Sequence, residues 1–217
     1  MNSLLTRKSV FSSIILVFLY AIGIIGILTS KSKAFIYLTP IHLIITTLIL
    51  LNNNRERKHT TSYSSQCFYV FMSAFLIGVF ASNTSLIYGK ITYGDILGPL
   101  LFKTPITIGI LWLGLVVATS ATLYPLPLNK HLKIILGALL ITSLDFLIEL
   151  TTIKIRIWSL ENGPFSFHNS LGWFFTSLLL LYLFQSKNIR FKNKVGSVYI
   201  VLLFIFFFII KYFYLDY

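Results

Sequence analysis

The sequence predicts an all-α fold: a polytopic integral membrane bundle of about seven transmembrane helices. Three observations carry this. Apolar residues make up 56% of the chain and charged ones 11%, against roughly 25% charged in soluble domains. The mean hydropathy is +0.84. The apolar residues also gather into runs near the ~20 residues that cross a hydrocarbon core. Finally, the basic residues that give a formal net charge of +12 sit in short clusters between those runs, as flanks of membrane spans do. They build no patch of the kind nucleic-acid binding needs, so no nucleic-acid partner is expected.

The spans are read at residues 11–28, 34–51, 67–88, 104–124, 132–153, 171–185 and 195–215, as one transmembrane domain over residues 1–217. The first follows Arg7 and Lys8, as a signal peptide would, but it is long and no small-x-small cleavage site follows, so it reads as a retained span. The second holds Pro40 and His42, which are expected either to kink it or to form a partly buried entry. Cys67 opens the third; as the lone cysteine it excludes an intramolecular disulfide and a Cys-based metal site. The fourth carries Trp112 and the fifth carries Asp145 and Glu149. The sixth is short unless it extends back through Phe165. The seventh, with Phe204 and Phe206 to Phe208, is the clearest. Basic clusters at Arg7 and Lys8, Arg55 to Lys58, Lys130 and Lys133, and Lys187 to Lys194 outweigh those on alternate ends. The N-terminus is therefore expected in the cytoplasm and the C-terminus outside, in the cell membrane.

No CxxC, HExxH, GxGxxG or P-loop string occurs, and no two histidines show ligand spacing, so neither a cofactor nor a metal is expected. The chemistry then falls to six acids. Glu56, in a basic loop, and Asp216, next to the end, read as solvated charges. Asp95, Asp145, Glu149 and Glu161 all fall toward the outer side.

Asp145 and Glu149 stand four residues apart in the fifth span and share a helix face. The stripe runs Ala138, Thr142, Asp145, Glu149, Thr152, Arg156. Intramembrane carboxylates cost several kcal/mol near the bilayer centre, about 2.5–3.5 on insertion scales, and face the bundle interior. Two partly desolvated acids within one turn do not both ionise readily, which provides a proton donor beside a proton acceptor. The alternative is a structural ion pair with Arg156 or Lys154.

Two outer segments complete the candidates. Tyr88 to Pro99 is rich in glycine, which argues for irregular backbone at the membrane edge. Within it Tyr93 is a candidate substrate contact, and Asp95 either caps the next segment or reaches the acid pair. Trp158 to Trp173 is aromatic, as interfacial segments are. Asn169 and Trp173 share a face, and His168 and Asn169 are polar groups at the start of the sixth span. Trp112 is either packing or a substrate wall.

These segments, in this order, resemble the membrane-bound carotenoid biosynthesis protein family, which includes carotenoid 1,2-hydratases and bisanhydrobacterioruberin hydratase. The resemblance rests on Tyr93 to Pro99 leading to Pro105 and Trp112, on Asp145 with Glu149, and on Phe165, Asn169, Gly172, Trp173 and Phe174 after Trp158. It covers the central third of the chain and departs at Leu150, where members often have proline, and at Leu160, where a second aromatic is common. Asp145 and Glu149 carry over; His168 does not.

The resemblance implies a lyase-class carotenoid hydratase that adds water to the terminal C1=C2 bond of a linear, ψ-type end to give a tertiary alcohol. Asp145, Glu149 and Asn169 would be catalytic, and Tyr93, Asp95, Trp112, Trp158, His168 and Trp173 would contact substrate. Glu149 would be the general acid and Asp145 the ionised partner that orients water with Asn169, or the reverse. The residues agree with this chemistry. Alkene hydration needs an acid, a stabiliser for the tertiary cation and a base for the attacking water, and two carboxyls in different protonation states supply all three. The partners implied are a carotenoid drawn from the bilayer, membrane lipid and other enzymes of the same pathway. Two further readings use the same acids: end-group cyclisation, which differs only in its product, and a proton-coupled or ion-coupled transporter.

Overall fold

The computed structural model describes residues 2–29, 32–54, 60–161, 163, 166–187 and 194–214. Among these the chain forms helices α1 (Asn2–Ile27), α2 (Ser32–Tyr37), α3 (Thr39–Asn54), α4 (Thr60–Thr84), α5 (Thr107–Leu123), α6 (Lys130–Lys154), α7 (Phe167–Gln185) and α8 (Val195–Tyr214). Four short strands lie in its connections: β1 (Ile91–Tyr93), β2 (Leu100–Leu101), β3 (Thr104–Pro105) and β4 (Trp158–Leu160). The architecture is the helical bundle that the hydropathy predicts. Large apolar side chains such as Phe11, Phe18, Phe68, Phe80, Phe175 and Phe213 are exposed on its outside, in keeping with a surface that faces lipid.

The expected seven spans do not all reappear as spans of full length. Five helices, α1, α4, α6, α7 and α8, contain stretches long and apolar enough to cross a membrane. Helices α3 and α5 are apolar but shorter.

The second expected span breaks at Leu38 into α2 and α3. Pro40 has no N–H to offer the carbonyl of Ile36 one turn back. That carbonyl instead accepts from the Thr39 hydroxyl at 2.6 Å, and α3 starts afresh with proline in its first turn, where a missing donor costs nothing.

The fourth expected span loses its first residues to a hairpin. Leu100 pairs with Pro105 and Leu101 with Thr104, across a turn in which Phe102 and Lys103 both take left-handed backbone, φ 51° and 65°. The third span ends early as well. Helix α4 stops at Thr84, and Ser85 turns the chain at φ 60°. Tyr88 therefore leaves the helix and joins the connection that follows.

Helix α5 is the axis of the bundle. Nearly every residue from Thr107 to Ala121 is buried, and α3, α4, α6, α7 and α8 all pack on it. A helix enclosed by protein on all sides shows no polar stripe, which is why its sequence reads as uniformly apolar. Helices α6 and α7 pack antiparallel against one another and against α5. The C-terminal end of α6 and the N-terminal end of α7 thereby meet at one face of the bundle, beside the strands.

Candidate active site

The acid-bearing stripe of α6 faces the interior as far as Thr152. Ala138, Asp145, Glu149 and Thr152 are buried, with Asp145 2% and Glu149 1% exposed. Arg156 departs from the expected stripe. It lies beyond the helix in left-handed backbone, φ 61°, and its side chain is exposed. The polar group that meets the two acids comes from α7 instead. Asn169 Nδ2 donates to Glu149 Oε1 at 3.1 Å and makes a longer contact of 3.4 Å with Asp145 Oδ2. Asn169 is itself 1% exposed.

Local sequence fixes this asparagine. Ser166 has extended backbone and caps α7, its hydroxyl accepting from the Asn169 backbone N–H at 3.1 Å, the standard use of serine at a helix start. The helix therefore begins at Phe167, earlier than residue 171 as the hydropathy had it; Phe165 lies outside the described residues. With Asn169 in the first turn, its side chain is level with the acids near the end of the antiparallel α6.

One oxygen of the pair is left over. Asp145 Oδ1 is buried and has no hydrogen-bond partner among the described residues. A buried acceptor without a partner costs about 1–3 kcal/mol, so an arrangement that retains one is a candidate for binding something there.

Beside the acids lies a small cleft lined by Tyr88, Tyr93, Trp112, Trp158, Asn169 and Trp173 among others, with about 20 Å3 of free space. That is room for one water molecule. Its roof is a two-stranded ladder that joins the connection before α5 to the one before α7. Ile91 pairs with Leu160, Thr92 with Ser159 and Tyr93 with Trp158. Strand alternation turns Ile91, Tyr93 and Trp158 inward and Thr92 and Ser159 outward. Tyr93 and Trp158 meet edge to face at 6.5 Å. The Lys90–Glu161 pair, 3.3 Å apart and well exposed, closes the outer end.

Two glycines allow this closeness. A Cβ on Gly94 would strike the carbonyl of Arg156, and one on Gly172 would strike the carbonyl of Ile87. The second contact draws the Tyr88 connection down onto α7, where the Tyr88 hydroxyl bonds Thr176 Oγ1 at 2.9 Å. Below it, Trp112 of α5 stacks on Trp173 of α7 with centroids 4.7 Å apart. Burial pushes the phenols of Tyr88 and Tyr93 above their ordinary range, with the nearby Asp145 adding to the effect at Tyr88, so both stay neutral.

Of the residues expected from sequence, Asp145, Glu149, Asn169, Tyr93, Trp112, Trp158 and Trp173 come together. Two do not. Asp95 is exposed and accepts from the Tyr37 hydroxyl at 3.0 Å, so it neither reaches the acid pair nor caps a helix. His168 is exposed, with Nε2 2.7 Å from the carbonyl of Leu86; one residue before Asn169, it points off the buried face of α7. Tyr88 is the polar lining residue that the sequence missed, beside the apolar Ile91, Ile108 and Leu111. It read as the end of a span, and only its tertiary contact with Thr176 brings it to the cleft. Among the described residues, no three His, Cys, Asp or Glu side chains gather as metal ligands.

Residues 35–215 match the family model described as carotenoid biosynthesis protein. No curated protein and no solved structure matches the chain. The matched region takes in every residue of the cleft and all helices from α3 to α8, and on that extent the chain belongs to the carotenoid biosynthesis protein family.

Proposed function

We propose that this membrane protein is a cofactor-independent carotenoid hydratase, a carbon–oxygen lyase acting on the terminal C1=C2 bond of a linear, ψ-type end. The observation that carries the reading is the buried triad in which one Asn169 amide serves both Asp145 and Glu149. Glu149 transfers its proton to C2; the π pair forms the new C–H bond and leaves a tertiary cation at C1. Asp145, ionised, stabilises that cation and, with Asn169, orients a water whose oxygen bonds C1. The water's surplus proton passes to Asp145, and its return to Glu149 resets the pair. Because Asn169 donates to Glu149 Oε1, the acid proton belongs on Oε2. The unpartnered Asp145 Oδ1 is the natural acceptor for the water.

The water-sized space at Asn169 favours hydration over ring closure, which shares the protonation step but excludes water. A ψ-end is larger than that space, so it enters by displacing an aromatic wall, Trp112 or Trp173. The substrate reaches the site laterally from the bilayer of the cell membrane. By the basic flanks the N-terminus is cytoplasmic and the C-terminus outside, with association with other carotenoid enzymes supplying the substrate. Expression in a host that accumulates linear and monocyclic carotenoids, followed by mass analysis of the pigments, tests this. Hydration adds one water to the pigment mass and cyclisation leaves the mass unchanged. No gain of water on any pigment would refute the proposal.

A further inference from the structure

On the other side of α6 lies a second hollow, of about 230 Å3, between α1, α3 and α8. Its lining is almost wholly aliphatic and aromatic. Ile22 of α1 and Ile41 and Ile45 of α3 belong to it and are 40%, 53% and 40% exposed on the lipid-facing surface. The hollow therefore opens sideways into hydrocarbon between α1 and α3, and a lipophilic molecule can enter without crossing water.

Its polar groups are few, and two of its hydroxyls are already occupied. Thr39 bonds the carbonyl of Ile36 and Thr151 that of Leu147. His42 is different. It lines the hollow and is held edge-on to Tyr20 with ring centroids 4.7 Å apart, yet its Nε2 is buried with no hydrogen-bond partner among the described residues. A polar atom of this kind in a dry apolar hollow is costly unless a ligand satisfies it. Apolar walls with one convergent polar group are the usual make-up of a small-molecule site. The hollow is also next to the acid cleft. Ile157 lines the hollow, while its neighbour Trp158 lines the cleft, so one layer of residues divides them.

We infer that this hollow is a second lipophile site, taking a linear isoprenoid chain that bears a single hydroxyl, with the His42 ring turning to present Nε2 to that hydroxyl. The choice of an isoprenoid over another lipid rests on the hydratase reading, whose product is such an alcohol; the hollow and its histidine do not depend on it. Isoprenoid alcohol and glycerolipid share the same chemistry, a long apolar chain with a hydroxyl, and competition separates them.

The test uses the full chain in phosphatidylcholine nanodiscs, photolabelled with a diazirine analogue of geranylgeraniol and mapped by peptide mass spectrometry. Labels are expected on α1, α3 and α8. Geranylgeraniol should compete about fivefold better than squalene, which has no hydroxyl, as one net hydrogen bond implies. His42→Phe keeps the ring and its contact with Tyr20 and should erase that preference. Ile22→Trp, at the mouth, should lower labelling severalfold while the helical circular-dichroism signal is kept. Glu149→Gln should leave labelling unchanged. Equal competition by squalene, an unchanged preference in His42→Phe, equal competition by monoolein, or labels spread evenly over the lipid-facing helices would each overturn the proposal. Binding is read without turnover, so a wild-type protein that labels as expected but hydrates nothing overturns the hydratase reading and leaves the site standing.

Discussion

The two hollows on either side of α6 differ in nearly every respect that matters for chemistry. The cleft toward α5 and α7 has room for one water, is walled by tryptophan and tyrosine, and is lined by the amide that meets the two acids. The hollow toward α1 and α8 is about ten times roomier and its lining contains no acid. Size and polarity trade against each other because a buried carboxyl is tolerable only when protein groups hold it tightly. Room for a long chain demands the opposite, a loose wall of apolar side chains. One helix serves both because its faces are turned to different neighbours: Asp145 and Glu149 to Asn169 of α7, and Thr151 to the hollow beside α8.

The largest expected effect comes from removing the feature that one side has and the other lacks. Glu149→Gln and Asp145→Asn, made separately, should each lower hydration at least a hundredfold, the usual range for a general acid or base. Protein should remain in the membrane, as read by blotting of the membrane fraction beside pigment analysis. Full turnover in both variants would end the acid-pair mechanism.

Next in size is the amide that makes the pair tolerable. Asn169→Ala leaves buried carboxyl oxygens without their donor and should cost about 1–3 kcal/mol. It should also lower turnover tenfold or more. Thermal unfolding in detergent measures the first effect and pigment mass the second; an unshifted melting curve would show that Asn169 does not hold the acids.

A smaller loss is expected where the two sides differ in tightness. Gly172→Ala places a methyl on the Ile87 carbonyl and should cost about 1–2 kcal/mol by overpacking. It should reduce activity by loosening Tyr88 from Thr176, and a fully active, equally stable variant would show that the connection can shift freely. The smallest effects belong to the expected site residues that lie outside the cleft. Asp95→Asn and His168→Ala should change stability by no more than about 0.5 kcal/mol and leave pigment hydration within twofold to threefold. A hundredfold loss in either would return it to the site.

Much of this comparison is visible in the sequence on one side only. The acid pair stood out because six carboxyls in a chain of 217 residues can be considered singly, and because a spacing of four has a fixed meaning on a helix. The same spacing rule put Asn169 and Trp173 on one face, and the family resemblance implied their place in the site. The second hollow had no such signal. Ile22, Ile45 and Phe207 are ordinary apolar residues of three separate spans, and His42 looked like a companion of a proline kink. Asp95 and His168 lie outside the cleft for local reasons. His168 is one residue before Asn169, and one step along a helix turns a side chain to another face, whereas Asp95 lies past the end of β1, where the strand alternation that aims Tyr93 inward no longer holds.

The sequence by itself determined that this is a membrane bundle, where its long spans run, and which two acids lie on an inward face. These follow from composition and from local periodicity, which do not depend on distant parts of the chain. Tertiary structure alone decided that the connections before α5 and α7 pair as the β1–β4 ladder, that Arg156 turns away from the acids, and that α1, α3 and α8 leave a cavity between them. Each of these depends on which faces of antiparallel helices meet and how closely they pack. That is fixed by contacts between residues far apart in sequence, which no local pattern encodes.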